Sequence, residues 1–172
     1  MSELFKRFFQ ICVLARGPQD LPYSQFLLRL CLLTYFFAGL LRALTWVSLP
    51  SALGIMLLDI GVLLAFSWVC LQSFKHLSRF VQMISALCGV GTLFYLMSIP
   101  VLAQIHLLEN AGQGSAGLSM ILFFLICWNL AVVAHIFRES FSVSLPAAFV
   151  LTLAYVMIEI SIGQLLFPEL RA

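Results

Sequence analysis

Charge is what this sequence has least of. Only 9% of its residues are Asp, Glu, Lys or Arg, against about 25% in an ordinary soluble domain. A chain so poor in charge cannot wet the surface of a globular core, and a soluble fold is excluded. Catalytic signatures are also missing: there is no H-E-x-x-H, no G-x-x-x-x-G-K-S/T loop and no G-x-S-x-G elbow. Cys12, Cys31, Cys70, Cys88 and Cys127 stand singly in apolar stretches without a C-x-x-C, so they read as small buried hydrophobes rather than a disulfide framework or metal site. The net charge of +2 is spread over several loops and offers no basic patch to nucleic acid. No cofactor, metal or nucleic-acid partner is expected, and no enzymatic activity.

What is present is apolar length. Hydrophobic residues make up 63% of the 172 positions, and the mean hydropathy is +1.10. A membrane span needs about 20 mostly apolar residues, and five runs qualify: 26–46, 52–71, 80–106, 118–136 and 145–167. They predict an all-α membrane protein, with residues 18–172 forming a five-helix transmembrane bundle whose first partner is the lipid bilayer. Ser24 and Ser144 are the expected N-caps, and Pro146 fits a first turn. Pro50, beside Ser48 and Ser51, marks the tight turn between the first two spans. The third run exceeds one straight crossing, and Pro100 predicts a kink or a stop in it. "ENAGQGSAG", residues 109–117, is the one Gly- and Ser-rich loop.

The opening "MSELFKRFFQICVLAR" has too short an apolar stretch, and no cleavage site after it, to read as a cleaved signal. At 100° per residue Leu4, Phe5, Phe8, Phe9, Ile11, Cys12 and Ala15 fill one side, and Glu3, Lys6, Arg7 and Gln10 the other. Residues 1–17 are therefore expected to form an amphipathic interfacial helix, capped by Ser2, lying flat on the membrane and broken by Gly17-Pro18. Cytoplasmic loops hold Lys and Arg in excess. Lys6, Arg7, Arg16, Lys75, Arg79 and Arg138 fall on one side of this topology, and the loop opposite, 109–117, holds no basic residue. The N-terminus is thus expected in the cytoplasm and the C-terminus, with Arg171, outside, in what reads as a bacterial inner membrane.

Against this background a few polar residues stand out inside the spans. Arg42, Asp59 and Glu159 share one half of the bilayer by the 1.5 Å rise per residue. A charge near the centre costs at least about 2.5 kcal/mol, so these residues should face the bundle and pair. Arg42 is the expected partner of Asp59, because a short turn makes spans one and two antiparallel neighbours. Thr152, Tyr155, Glu159 and Gly163 form one stripe of span five, and Ser78, Gln82, Ser85, Gly89 and Thr92 one stripe of span three. Gly54, Gly61 and Ala65 form a small-residue face of span two, suited to close helix packing. Tyr155, Asn129 and Gln82 are expected interhelical hydrogen-bonders. Arg29 is expected to snorkel to the headgroups, and His106 and His135 to sit near opposite faces, too far apart for one metal site.

The arrangement of a cytoplasmic N-terminus, five closely spaced spans and a very short tail, with "RGPQDLPYS" at 16–24 leading into the first span, resembles the Yip1-type membrane proteins. That resemblance implies a non-enzymatic role in membrane organisation or trafficking and assigns no residue. Two readings follow. In one, the chain is a scaffold or accessory subunit, associating with other membrane proteins or itself, and the charges lock the bundle's register. In the other, it is an oligomeric proton- or ion-linked transporter or channel that uses Asp59 and Glu159.

Overall fold

The structure, a computed structural model, describes residues 2–167. The side chains of Ser2 and Glu3, and Arg171, on which the expected cap, part of the polar face and the terminal charge rest, lie outside the described residues. Six α-helices follow in order: α1 (Ser2–Cys12), α2 (Gln25–Ala43), α3 (Leu49–Ser73), α4 (Phe80–Asn110), α5 (Ala116–Phe141) and α6 (Leu145–Leu166). Helices α2 to α6 are each long and apolar enough to cross a membrane, so the chain is a helical membrane protein. α4 is the central helix, packed on α1, α2, α3 and α5, and α6 closes against α5 and α3.

Local chemistry explains the helix ends. Ser24 accepts a hydrogen bond from the Leu27 N–H at 3.3 Å, as an N-cap does, whereas Ser144 makes no such bond. Pro50 falls within the first turn of α3, where its missing N–H costs nothing; the helix therefore starts at Leu49, earlier than expected. α2 stops at Ala43, short of Trp46. α4 neither stops nor breaks at Pro100 and runs on to Asn110. Its 31 residues span about 46 Å at 1.5 Å each, well beyond a hydrocarbon core of about 30 Å. α5 likewise passes residue 136 and ends at Phe141. Arg79 holds that end, donating to the Glu139 carbonyl at 3.0 Å, the Ser140 carbonyl at 3.1 Å and the Ser142 hydroxyl at 2.8 Å. The two carbonyls are among those that a helix C-terminus leaves without partners.

The bundle's two ends differ in charge. One end, called the basic end here, carries Lys75, Arg79 and Arg138; the far end carries the connections at 44–48 and 111–115 and Phe167. Near the basic end Phe74, Phe141, Phe137 and Phe66 pack in series at centroid distances of 5.5, 5.2 and 5.8 Å, and Phe66 continues to Tyr155 at 5.5 Å. Phe137 and Phe141 are fully buried there. This aromatic series joins α3, α5 and α6 and positions Tyr155.

Helix α1 is shorter than the 1–17 expected, and its apolar side divides in two. Leu4, Phe8, Ile11 and Cys12 pack on the bundle, while Phe5 (62% exposed) and Phe9 (54%) turn outward. The Phe8 ring rests on the α4 backbone at Gly89, where a Cβ would overlap it. Trp128 Nε1 donates to the Cys12 carbonyl at 2.8 Å, satisfying one of the orphan acceptors at the end of α1. Burial pushes the Cys12 thiol up to about 11. After a reversal at Leu14 (φ 62°), His135 Nε2 hydrogen-bonds the Arg16 carbonyl at 3.0 Å, and Gln82 donates to the Leu21 carbonyl at 2.7 Å. The N-terminal segment is thus fastened along the sides of α4 and α5, rather than standing apart from the bundle.

The small-residue face of α3 departs from expectation. A Cβ at Gly61 would meet nothing within 4 Å, and Ala65 is exposed. Only Gly54 is closely approached, by Phe167. The buried side of α3 is instead the one bearing Met56, Asp59, Leu63, Ser67 and Cys70, because burying the carboxylate takes precedence over close backbone approach.

Candidate functional site

Four helices each bring a stripe of residues at three- and four-residue spacing to the bundle interior. α2 offers Tyr35 and Arg42, α3 offers Asp59, α4 offers Tyr95, and α6 offers Tyr155 and Glu159. Asp59 is only 3% exposed and lies ten residues from the Leu49 end of α3, about 15 Å at the helical rise. Glu159 lies seven residues from the Leu166 end of α6, about 10 Å in.

The carboxylate of Asp59 is held by tyrosines. Tyr95 Oη donates to Asp59 Oδ2 at 3.2 Å, and Tyr155 Oη donates more weakly to Oδ1 at 3.5 Å. The Tyr35 and Tyr95 hydroxyls lie 2.9 Å apart; since the one Tyr95 proton goes to Asp59, Tyr35 is the donor of that pair. The two rings also stack, with centroids 5.0 Å apart. Three of the four tyrosines in the chain therefore converge on one acid. Gly39 and Gly91 make this possible: a Cβ on Gly39 would strike Met56 and Tyr95, and one on Gly91 would strike Tyr35.

Arg42 does not pair with Asp59 as expected. Among the described residues no ion pair within 4.0 Å joins them; the guanidinium lies over the Tyr95 ring, 5.4 Å from its centroid. Arg42 sits within one residue of the end of α2, whereas Asp59 lies ten residues inside α3, and the guanidinium rests on the ring instead of on the carboxylate. A cation over an aromatic face gains about 0.5–2 kcal/mol. Glu159 interacts with Asp59, Tyr155 and Arg42. The three charged residues predicted to share a depth are thus gathered in one place, Arg42 against the Tyr95 ring and the two acids beside each other.

Two cavities meet at this cluster. One, of about 330 Å³, runs into the bundle past Tyr95, Asn129, Tyr155 and Glu159 and ends among apolar side chains such as Leu87 and Val133. The other, of about 390 Å³, opens toward the far end and is lined by Arg42, Asp59, Glu159, Gly163 and Gln164. Arg42 and Glu159 line both.

The remaining expected residues go elsewhere. Asn129 lines the inner cavity and takes no hydrogen-bond partner among the described residues. Gln82 fastens the chain before α2 rather than serving the cluster. Thr152 closes a bond on its own helix at the Ala148 carbonyl, 2.9 Å away, which absorbs its polarity. His106 packs edge-on against Trp46 with centroids 4.0 Å apart, near the far end, while His135 sits toward the basic end. Among the described residues no three His, Cys, Asp or Glu side chains form a group suited to a metal. Tyr35 and Tyr95 were not foreseen, although each lies at an apolar-stripe position, four residues from Cys31 and from Gly91. Comparison with family models, with curated proteins and with solved structures returns no match, so the reading of the site rests on its own geometry.

Proposed function

We propose that this chain is a small non-enzymatic membrane protein that carries a proton or small ion through the Asp59–Glu159 cluster, as an oligomeric transporter or channel. The observation behind this is that Arg42 and Glu159 line two cavities that meet at the cluster. Charges that serve only to fix helix register gain most when paired directly and sealed by side chains; these border open space. Intramembrane ionisable groups bordering a cavity are the usual means by which a bundle passes charge. The test is flux in proteoliposomes with a trapped pH dye and an imposed potential. Wild type dissipates the proton gradient, and Glu159→Gln slows it at least tenfold while the melting curve stays in place. A wild-type rate equal to that of empty liposomes overturns the reading.

The proposal includes an orientation, supported by Lys75, Arg79 and Arg138 gathering at one end: the basic end in the cytoplasm of a bacterial inner-membrane protein, with α1 in the interface of that leaflet, its outward Phe5 and Phe9 in lipid. Reporter insertions at Lys75 and after Ser142 are expected to read cytoplasmic, and one at Gly114 external. The opposite pattern at all three sites inverts the model of access.

A scaffold or accessory role in membrane organisation, as the Yip1-type resemblance implies, is favoured by one separate feature, the unfilled face at Gly61 and Ala65, which would admit a helix of another subunit. Co-purification from mild detergent, compared with a Gly61→Leu variant, distinguishes it.

A further inference from the structure

The inner cavity has the shape of an amphiphile. Its polar groups Tyr35, Arg42, Tyr95, Ser98, Tyr155 and Glu159 come from the middle or far half of their helices, with Asn129 near the middle of α5, and its walls toward the basic end, among them Leu87, Val133 and Ile136, are apolar. Two side chains that line it, Ile126 at 50% and Ile160 at 48%, are also exposed on the outside of the bundle. The cavity therefore reaches the surface that lipid would cover, and a ligand has a way in from the membrane. Its volume of about 330 Å³ is at the small end of ligand sites, which run from about 300 to 1,000 Å³, enough for one chain or a few rings.

The charges define the head. Two carboxyls, Asp59 and Glu159, face one guanidinium, Arg42, so the fully ionised cluster carries one uncompensated negative charge. The titratable groups around it are Tyr35 and Arg42 from α2, Tyr95 and Cys88 from α4, and Tyr155 from α6. α5 faces it with Asn129. None of these adds a second positive charge. Glu159 lines the cavity itself, together with the rings of Tyr35, Tyr95 and Tyr155, surfaces that attract a poorly hydrated cation; Asp59 stands behind Tyr95 and Tyr155, which hydrogen-bond it, and borders only the far-end cavity. The Tyr95 ring already holds one, the Arg42 guanidinium, at 5.4 Å.

We propose that this cavity binds a lipophilic organic cation, a quaternary ammonium or similar monovalent head carrying an apolar chain, in exchange for a proton. The assignment rests on the proton-linked reading above. In each exchange one proton leaves a carboxyl oxygen of the Asp59–Glu159 pair as one cation enters, and the charge of the cluster is conserved. The head sits between Glu159 and the tyrosine rings, with Asp59 behind them, and the chain occupies the slot between α4, α5 and α6.

Calorimetric titration of the purified protein in dodecyl maltoside with decyltrimethylammonium tests this. One saturable site per chain is expected, weakening up to tenfold for each unit of falling pH where the proton competes. Glu159→Gln should weaken binding at least tenfold and remove the pH dependence. Arg42→Gln should move the other way and tighten binding severalfold, because it deletes a repelling charge; a mere loss of folding cannot produce that sign. The assignment is overturned if no saturable binding is seen, if the zwitterionic decylphosphocholine titrates as well as the cation, or if both variants weaken binding alike. Flux in liposomes without decyltrimethylammonium binding overturns the organic-cation assignment alone; absence of both overturns the transport reading as well.

Discussion

Asp59→Leu is expected to lower the stability of the bundle by about 2–4 kcal/mol, measured by reversible unfolding in mixed micelles. The substitution strands the Tyr95 and Tyr155 hydroxyls, which now donate to the carboxylate, and an orphaned buried donor costs about 1–3 kcal/mol. It also leaves Arg42 and Glu159 bordering a site that has lost one acid. Double-mutant cycles then separate the partners. Asp59→Leu with Tyr95→Phe should show a coupling of about 1–2 kcal/mol, the range for hydrogen bonds within a membrane bundle and to a charged acceptor. Asp59→Leu with Arg42→Leu should show less, since the guanidinium lies on a ring instead of on the carboxylate. A larger coupling to Arg42 would restore the direct ion pair and with it a register-locking role.

Gly89→Leu is expected to detach α1. The new side chain would be built where the Phe8 ring now rests, and overpacking of this kind costs about 1–3 kcal/mol, which the short α1 contact cannot absorb without moving. Release of α1 takes the Cys12 carbonyl from Trp128, so tryptophan emission should shift and amides 4–12 should lose hydrogen-exchange protection. The five long helices should stay folded, because their packing does not pass through Phe8. Phe8→Ala in the same chain makes room for the leucine and should restore protection in part. Unchanged exchange in Gly89→Leu would show that α1 is held by the Trp128, His135 and Gln82 bonds and not by this contact.

These two sites also show where sequence reading succeeds. Asp59, Glu159 and Arg42 are legible from sequence because an ionisable residue in an apolar run is costly, and counting residues along a helix gives its depth. That Tyr155 shares a stripe with Glu159 follows from the helical period. Tyr35 and Tyr95 were missed because a tyrosine in an apolar stretch reads as core or as an interfacial ring. Its hydroxyl becomes a signal only when a partner on another helix is known. Phe8 and Gly89 were each noted on a stripe, but nothing in either stripe names the other.

The sequence by itself determined that the chain is helical, that five of its segments are long enough to cross a membrane, and which residues carry charge into them. Each of these depends on a local quantity: the length of an apolar run, its period, or the free energy of placing one side chain in hydrocarbon. Only the tertiary structure decided that Asp59 answers to tyrosines rather than to Arg42, that Gly61 and Ala65 face outward, and that α1 packs along α4 and α5. Those outcomes depend on how each helix is rotated about its axis and which neighbour it meets. In lipid no gain in apolar burial distinguishes one rotation from another. The choice is left to close packing at Gly39, Gly89 and Gly91 and to the hydrogen bonds that buried polar groups must find, and both of these are made between residues far apart in the chain.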